Sequence, residues 1–196
     1  MTRRVLVLAD EANVMAGFKM FGKRLDWLKI RDYVANPGEG RELVEFVLYA
    51  GLPPAMPGYQ EQRQRKEAFL QWAEHAGFLV VRRDGNPTEG GHFKANVDVL
   101  MAIDAVDLAV QIKPEIVVLM TGDADFAHLA MTLRRRGIRI EVAAVATTLG
   151  TKLRAAANRV LDLTPLINSF DSLGGEPPPP APTPVPAPAN ASEDRG

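Results

Sequence analysis

The sequence predicts a three-layer α/β/α sandwich around a mainly parallel sheet. Three observations carry this reading. Short, unbroken runs of branched aliphatic residues have the composition of strands buried on both faces. Segments with helical spacing separate these runs. The alternation repeats along most of the chain, which is the pattern of βαβ units with right-handed crossovers.

The first strand is "RVLVLAD", ending at Asp10. The second is "LVEFVLYAG", Leu43 to Gly51. "PGYQEQRQRKEAFLQWAEHAG" reads as a helix, with Phe69, Trp72, Ala73 and Ala76 at helical spacing and Gly77 as its stop. "FLVVRR" is a short third strand. "NVDVLMAIDAVDLAVQI" is a helix that is apolar nearly all round, so it is expected to be well buried. Asp104 falls inside its apolar arc, among Val97, Leu100 and Leu108, and needs a partner there. "EIVVLMTG" is the next strand. "DADFAHLAMTLRRRG" is a helix whose last turn carries Arg134 to Arg136, where the helix dipole favours cations, before Gly137. "IRIEVAAV" is a strand, and "GTKLRAAANRVLDL" is a helix running into a short final strand.

The domain is expected to span residues 1–168, with a tail over 169–196. Eight of the fifteen prolines lie between Pro177 and Pro188. Such a segment cannot form a packed core and reads as a disordered, polyproline-like tail, a candidate protein-docking peptide. Composition narrows the rest. The chain has 196 residues, 46% of them apolar, and no cysteine, so a disulfide framework and a Cys-based zinc site are excluded. The apolar run at the N-terminus, Val5 to Ala9, is too short for a secretory or membrane segment, and no other run is longer. A cytoplasmic protein without membrane contact is the expectation. Net charge is −1, which gives no global sign of a basic nucleic-acid binder. Local basic clusters remain at Arg82–Arg83, Lys94 and Arg134–Arg136. Self-association is left open by the sequence.

In open parallel sheets, ligands bind beyond the carboxyl ends of the strands. Asp10, Glu11 and Asn13 close the first strand, and Thr121, Asp123 and Asp125 close "EIVVLMTG". "KANVD" sets Lys94 and Asp98 at the start of the apolar helix. Taken singly, Asp10 can close a turn, and Asp98 and Asp123 can cap helices. Together they deliver acids from three segments to one edge, where crowded carboxylates call for a cation. A hard divalent ion such as Mg²⁺ suits oxygen donors, activates water and polarises phosphate. His75, His92 and His128 are scattered and read as surface or packing residues. The phosphate-loop, dinucleotide-loop and nucleophile-elbow motifs are absent. "RRDGNPTEGGHFKAN" reads as a flexible loop whose Arg82, Arg83 and Lys94 flank the acids, an arrangement suited to a phosphodiester backbone.

"VLVLADEANV", "KANVDVLMAIDAVDLA", "VVLMTGDADFAHLAMTLRRRGIRIEVAAV" and "LRAAANRVLDLTPL" together resemble the NYN domain, in the LabA-like branch of the PIN-like nuclease superfamily. The likeness runs from about Arg3 to Leu166, and T-G-D-x-D-F is its most specific part. Thr121 stands where serine is common, and "KANVD" replaces "KGVD". The resemblance implies a PIN-like fold and a Mg²⁺- or Mn²⁺-dependent ribonuclease site that hydrolyses RNA. By position it implies Asp10, Asp98, Asp123 and Asp125 as catalytic metal ligands. Asn13, Thr121 and Lys94 are then positioning residues. A non-catalytic RNA-binding or regulatory module on the same fold is the alternative. A phosphatase-type Asp-x-Asp would end the first strand, where this chain offers Asp-x-x-Asn instead.

Overall fold

In a computed structural model, the described residues are 2–172; of the tail expected over 169–196, residues 169–172 are described and the Pro-rich remainder lies outside them. The strands are β1 (Arg3–Asp10), β2 (Arg41–Leu52), β3 (Leu79–Asp84), β4 (Asn86–Pro87), β5 (Phe93–Lys94), β6 (Ile116–Met120), β7 (Arg139–Ala144) and β8 (Arg159–Asp162). The helices are α1 (Glu11–Met20), α2 (Trp27–Val34), α3 (Gln60–His75), α4 (Val97–Ile112), α5 (Ala127–Arg135), α6 (Thr151–Ala156) and α7 (Thr164–Asn168). Six strands form one sheet in the order β3-β2-β1-β6-β7-β8. Every pair within it is parallel. The sandwich expected from the sequence is therefore present.

The strands bury both faces, as their unbroken aliphatic runs require. Val5, Val7 and Ala9 of β1 join one core with Phe18, Trp27, Ile30, Leu70 and Ile167 from α1, α2, α3 and α7. Leu6 and Leu8 join the other with Met101, Leu129 and Leu153 from α4, α5 and α6. Phe170 stacks on Phe18 with ring centroids 5.3 Å apart, and Lys23 pairs with Ser172, so packing continues past α7. Among the described residues no helix is long and apolar enough to cross a membrane.

Three features differ from the sequence reading. First, α1 and α2 fill the connection between β1 and β2, where no helix was expected. Each is short and capped by an aspartate. Asp10 accepts from the Asn13 amide, and Asp26 accepts from the amides of Leu28 and Lys29. Second, the loop expected to be flexible holds an antiparallel ribbon, β4–β5. Tyr59 anchors it by donating its hydroxyl to the His92 carbonyl at 2.8 Å. Third, α4 is not buried all round. Val97, Met101, Ala105 and Ala109 face the core, whereas Val99, Ile103 and Val110 are exposed. Asp104 does find a neighbour: the buried Tyr49 hydroxyl faces it without forming a well-shaped hydrogen bond. Burial, and then the Asp104 carboxylate, push the Tyr49 phenol well above its usual range.

At the amino edge of the sheet, Arg41 of β2 reaches under two strands to Glu141 of β7, at 2.7 Å. Both side chains are essentially buried. Arg139 also donates to Glu141, at 3.0 Å. Burial would raise the Glu141 pKa, but the hydrogen bonds from Arg41 and Arg139 outweigh it and hold the carboxyl below its usual range. Its contribution to stability is thus present above the ordinary glutamate pKa and lost as pH falls through the lowered value. Glu141→Gln leaves the buried Arg41 with only the exposed Glu39, at 3.7 Å, as a counter-charge. It is expected to destabilise the fold by about 3–5 kcal/mol, measured by urea denaturation at neutral pH, with a smaller loss in acid.

Candidate active site at the carboxyl edge of the sheet

From β1 the chain moves outward to β2 on one side, and it returns to β6 on the other. The strand order reverses between β1 and β6, and in such sheets the crevice at this point is where ligands bind. Asp10 ends β1, and Thr121, Gly122 and Asp123 follow β6. The two segments are joined directly: Gly122 N donates to Asn13 Oδ1 at 2.9 Å. Asn13 N in turn donates to Asp10 Oδ1 at 3.1 Å. With Asn13 Oδ1 so fixed, its amide NH₂ is the group left to donate outward.

Gly122 is required by space. A Cβ there would lie 2.7 Å from the Thr148 carbonyl oxygen. The close approach lets Gly150 N donate to Gly122 O at 2.8 Å. Thr121 is buried, and its hydroxyl accepts from Asp123 N at 3.2 Å. That bond sets the backbone on which Asp123 is carried. Asp123 caps the short 3₁₀ turn Ala124–Phe126, accepting from Asp125 N at 2.9 Å. Helix capping therefore describes Asp123 as expected, and also Asp10, which caps α1 rather than closing a turn. Capping uses only part of each carboxylate, which keeps further acceptor positions.

The electrostatics separate these acids. Burial pushes the Asp10 carboxyl above its usual range, and the charges of Glu11 and Asp123 push the same way. The amides of Asn13 and Ala12 oppose this without cancelling it. Glu11 is buried beside Asp10, and Lys66 of α3 forms an ion pair with it. The sequence reading overlooked Lys66. The signal was available, because Lys66 lies at helical spacing from Leu70 and Ala73, the buried face of α3.

Of the remaining candidates, Asp125 follows Asp123 by two residues. Asp98 is the second residue of α4, whose N-cap is Asn96 rather than Asp98. Asp98 and Asp125 are exposed and together line a cleft of about 410 Å³ between α4 and α5, with Val99, Phe126, His128 and Leu129. Lys94 is exposed on β5. Arg82 pairs with Glu74 of α3. The structure thus brings Asp10 close to Asp123, and Asp98 to the same cleft as Asp125. Among the described residues no three acids or histidines stand together as a ready-made metal cage. The donor chemistry still fits Mg²⁺ or Mn²⁺. Such ions are commonly held by one or two carboxylates and complete their shell with water and phosphate oxygens. Asp10 and Asp123 would be the pair nearest such an ion.

Asp10→Asn tests the electrostatic reading. Asparagine keeps the N-cap acceptor and removes the buried charge. The Asp10 pKa is raised on folding, so its ionisation opposes folding above that raised value. The variant is expected to melt at a higher temperature than the wild type at pH 7. The gap should shrink as pH falls through the raised pKa and close below the ordinary aspartate pKa, where Asp10 is neutral in both states. Thermal melts of both proteins between pH 4 and 8 check this.

Comparison with known proteins agrees with this architecture. The chain is 28% identical over 165 residues to Low amplitude and bright protein LabA of Synechococcus elongatus, covering 83% of this chain and 85% of that protein. A crystal structure of a protein of unknown function from Vibrio parahaemolyticus superposes with a TM-score of 0.65 at 22% identity. It covers 83% of this chain and 93% of the other, and so shares the fold. The NYN domain matches residues 4–164, from the start of β1 to the start of α7, and the chain belongs to the NYN domain family.

Proposed function

We propose that this protein is a metal-dependent ribonuclease that hydrolyses RNA phosphodiester bonds at the carboxyl edge of its sheet. One observation carries the reading. Asp10 and Asp123, at the ends of the two strands that flank the switch point, lie within electrostatic reach of each other, and their segments are joined through Asn13 and Gly122. Asp10 is left with a charge that its surroundings penalise. A cation answers that penalty, whereas Glu11 already has Lys66.

Asp10 and Asp123 would hold Mg²⁺ or Mn²⁺, with Asp98 and Asp125 acting through water from the neighbouring cleft. The bound ion would supply a water of lowered pKa and offset charge on the phosphate. The chain's own groups do the rest. Asn13, its amide oxygen fixed by Gly122, would turn its NH₂ to a phosphate oxygen. Thr121 would keep Asp123 in register. Lys94 and Arg83 would hold the backbone by charge, Arg82 being paired with Glu74.

A second reading has its own support. No preformed cage is present among the described residues, which suits a module that binds RNA without cutting it. Cleavage assays separate the two. With single-stranded RNA and Mn²⁺, the wild type is expected to cut and EDTA to stop it. Asp123→Asn should lose at least about a hundredfold, since even outer-shell changes at metal sites cost 10–100-fold. Wild-type RNA binding without EDTA-sensitive cleavage would favour the binding module.

A further inference from the structure

The outward face of α4 is apolar and bare. Val99, Ile103 and Val110 are 53%, 62% and 54% exposed. Val106, half-buried, lies between them, and steps of four, three and four residues put all of them on one stripe. The opposite stripe, Val97, Met101, Ala105 and Ala109, is buried in the core. An all-round apolar helix is one that is covered on every side. The described residues cover only one side of α4 and leave the other stripe open to a partner.

Charge says what kind of molecule. α4 and α5 both begin at the carboxyl edge of the sheet and end at the opposite edge. At their beginning stand the exposed acids Asp98 and Asp125, and at the end of α5 stand the exposed Arg135 and Arg136. Arg136 lines the same shallow depression as the stripe. The face is therefore acidic at one end, apolar in the middle and basic at the other. An identical face turned end for end sets the terminal acids against the terminal bases and stripe against stripe, with the exposed Asp107, which lines the same depression, near its middle. A parallel copy would set like charges against like. Self-complementarity of this kind is what a two-fold interface requires. We propose that two copies of this chain form an antiparallel, two-fold dimer through the outward face of α4.

The two-fold axis then passes midway along the stripe, between Ile103 and Val106. The two Ile103 positions lie close to it and near each other. The two Val110 positions lie about 16 Å apart along the helix, at 1.5 Å per residue. That is too far for a disulfide, which needs Cα atoms roughly 4.4–6.8 Å apart. The chain has no cysteine, so introduced ones report without interference.

Sedimentation at tens of micromolar protein should show the wild type as a dimer. Ile103→Glu should be monomeric and should melt like the wild type diluted to its monomer, since only the stability added by association is lost. Under mild oxidation, Ile103→Cys should cross-link between chains and Val110→Cys should not. A monomeric wild type overturns the proposal and leaves the stripe to a different partner. An Ile103→Glu variant that remains dimeric overturns it too, by placing the contact elsewhere. Cross-linking at both cysteines overturns the antiparallel arrangement. Should Ile103→Glu fail to fold, the milder cysteine pair decides the question.

Discussion

The candidate site depends on one hydrogen bond, from the Gly122 amide to the side chain of Asn13. A neutral bond of this kind contributes only about 0.5–1.5 kcal/mol to stability. Its importance is positional. It fastens the turn after β6 to the first turn of α1, across the crevice where the strand order reverses. Asp10 and Asp123 are neighbours because of it, and Gly122 can make it because no side chain holds the turn away from Thr148. The T-G-D-x-D-F element is thus a geometric device before it is a chemical one. Threonine steadies the backbone, glycine permits close approach, and the first aspartate is presented at the rim.

The two edges of the sheet treat buried charge in opposite ways. At the amino edge, Glu141 is answered by Arg41 and Arg139, and its pKa falls. At the carboxyl edge, Asp10 is half-buried, and that burial together with the charges of Glu11 and Asp123 raises its pKa. Glu11 is neutralised from α3 by Lys66. The fold therefore has the means to compensate a buried acid, and it uses them beside Asp10 but not on it. An uncompensated carboxylate at a ligand-binding crevice is a common mark of function, because strain there is relieved when the ligand arrives.

Much of this was legible in the sequence because burial leaves a strong pattern. The continuous aliphatic runs of β1, β2, β6 and β7 could only be strands covered on both faces. The edge on which the acids stand followed from parallel topology alone. The short α1 and α2 were missed because each has only a narrow apolar stripe: Val14 and Phe18 on one, Trp27, Ile30 and Val34 on the other. α4 was misread for a different reason. Composition shows that a helix wants cover, but not whether its own chain provides it. The pairing of the acids was beyond reach as well, since register and helix placement decide that Asp98 shares a cleft with Asp125. No one-dimensional spacing encodes that distance.

The central claim is that the crevice between β1 and β6 receives a divalent cation through Asp10 and Asp123. Paramagnetic broadening of backbone amide signals by Mn²⁺ tests it without reference to catalysis. The amides of residues 10–13 and 122–125 should broaden first, and excess Mg²⁺ should restore them. Broadening that is absent, or that is spread evenly over the surface acids and untouched by Asp123→Asn, would contradict it.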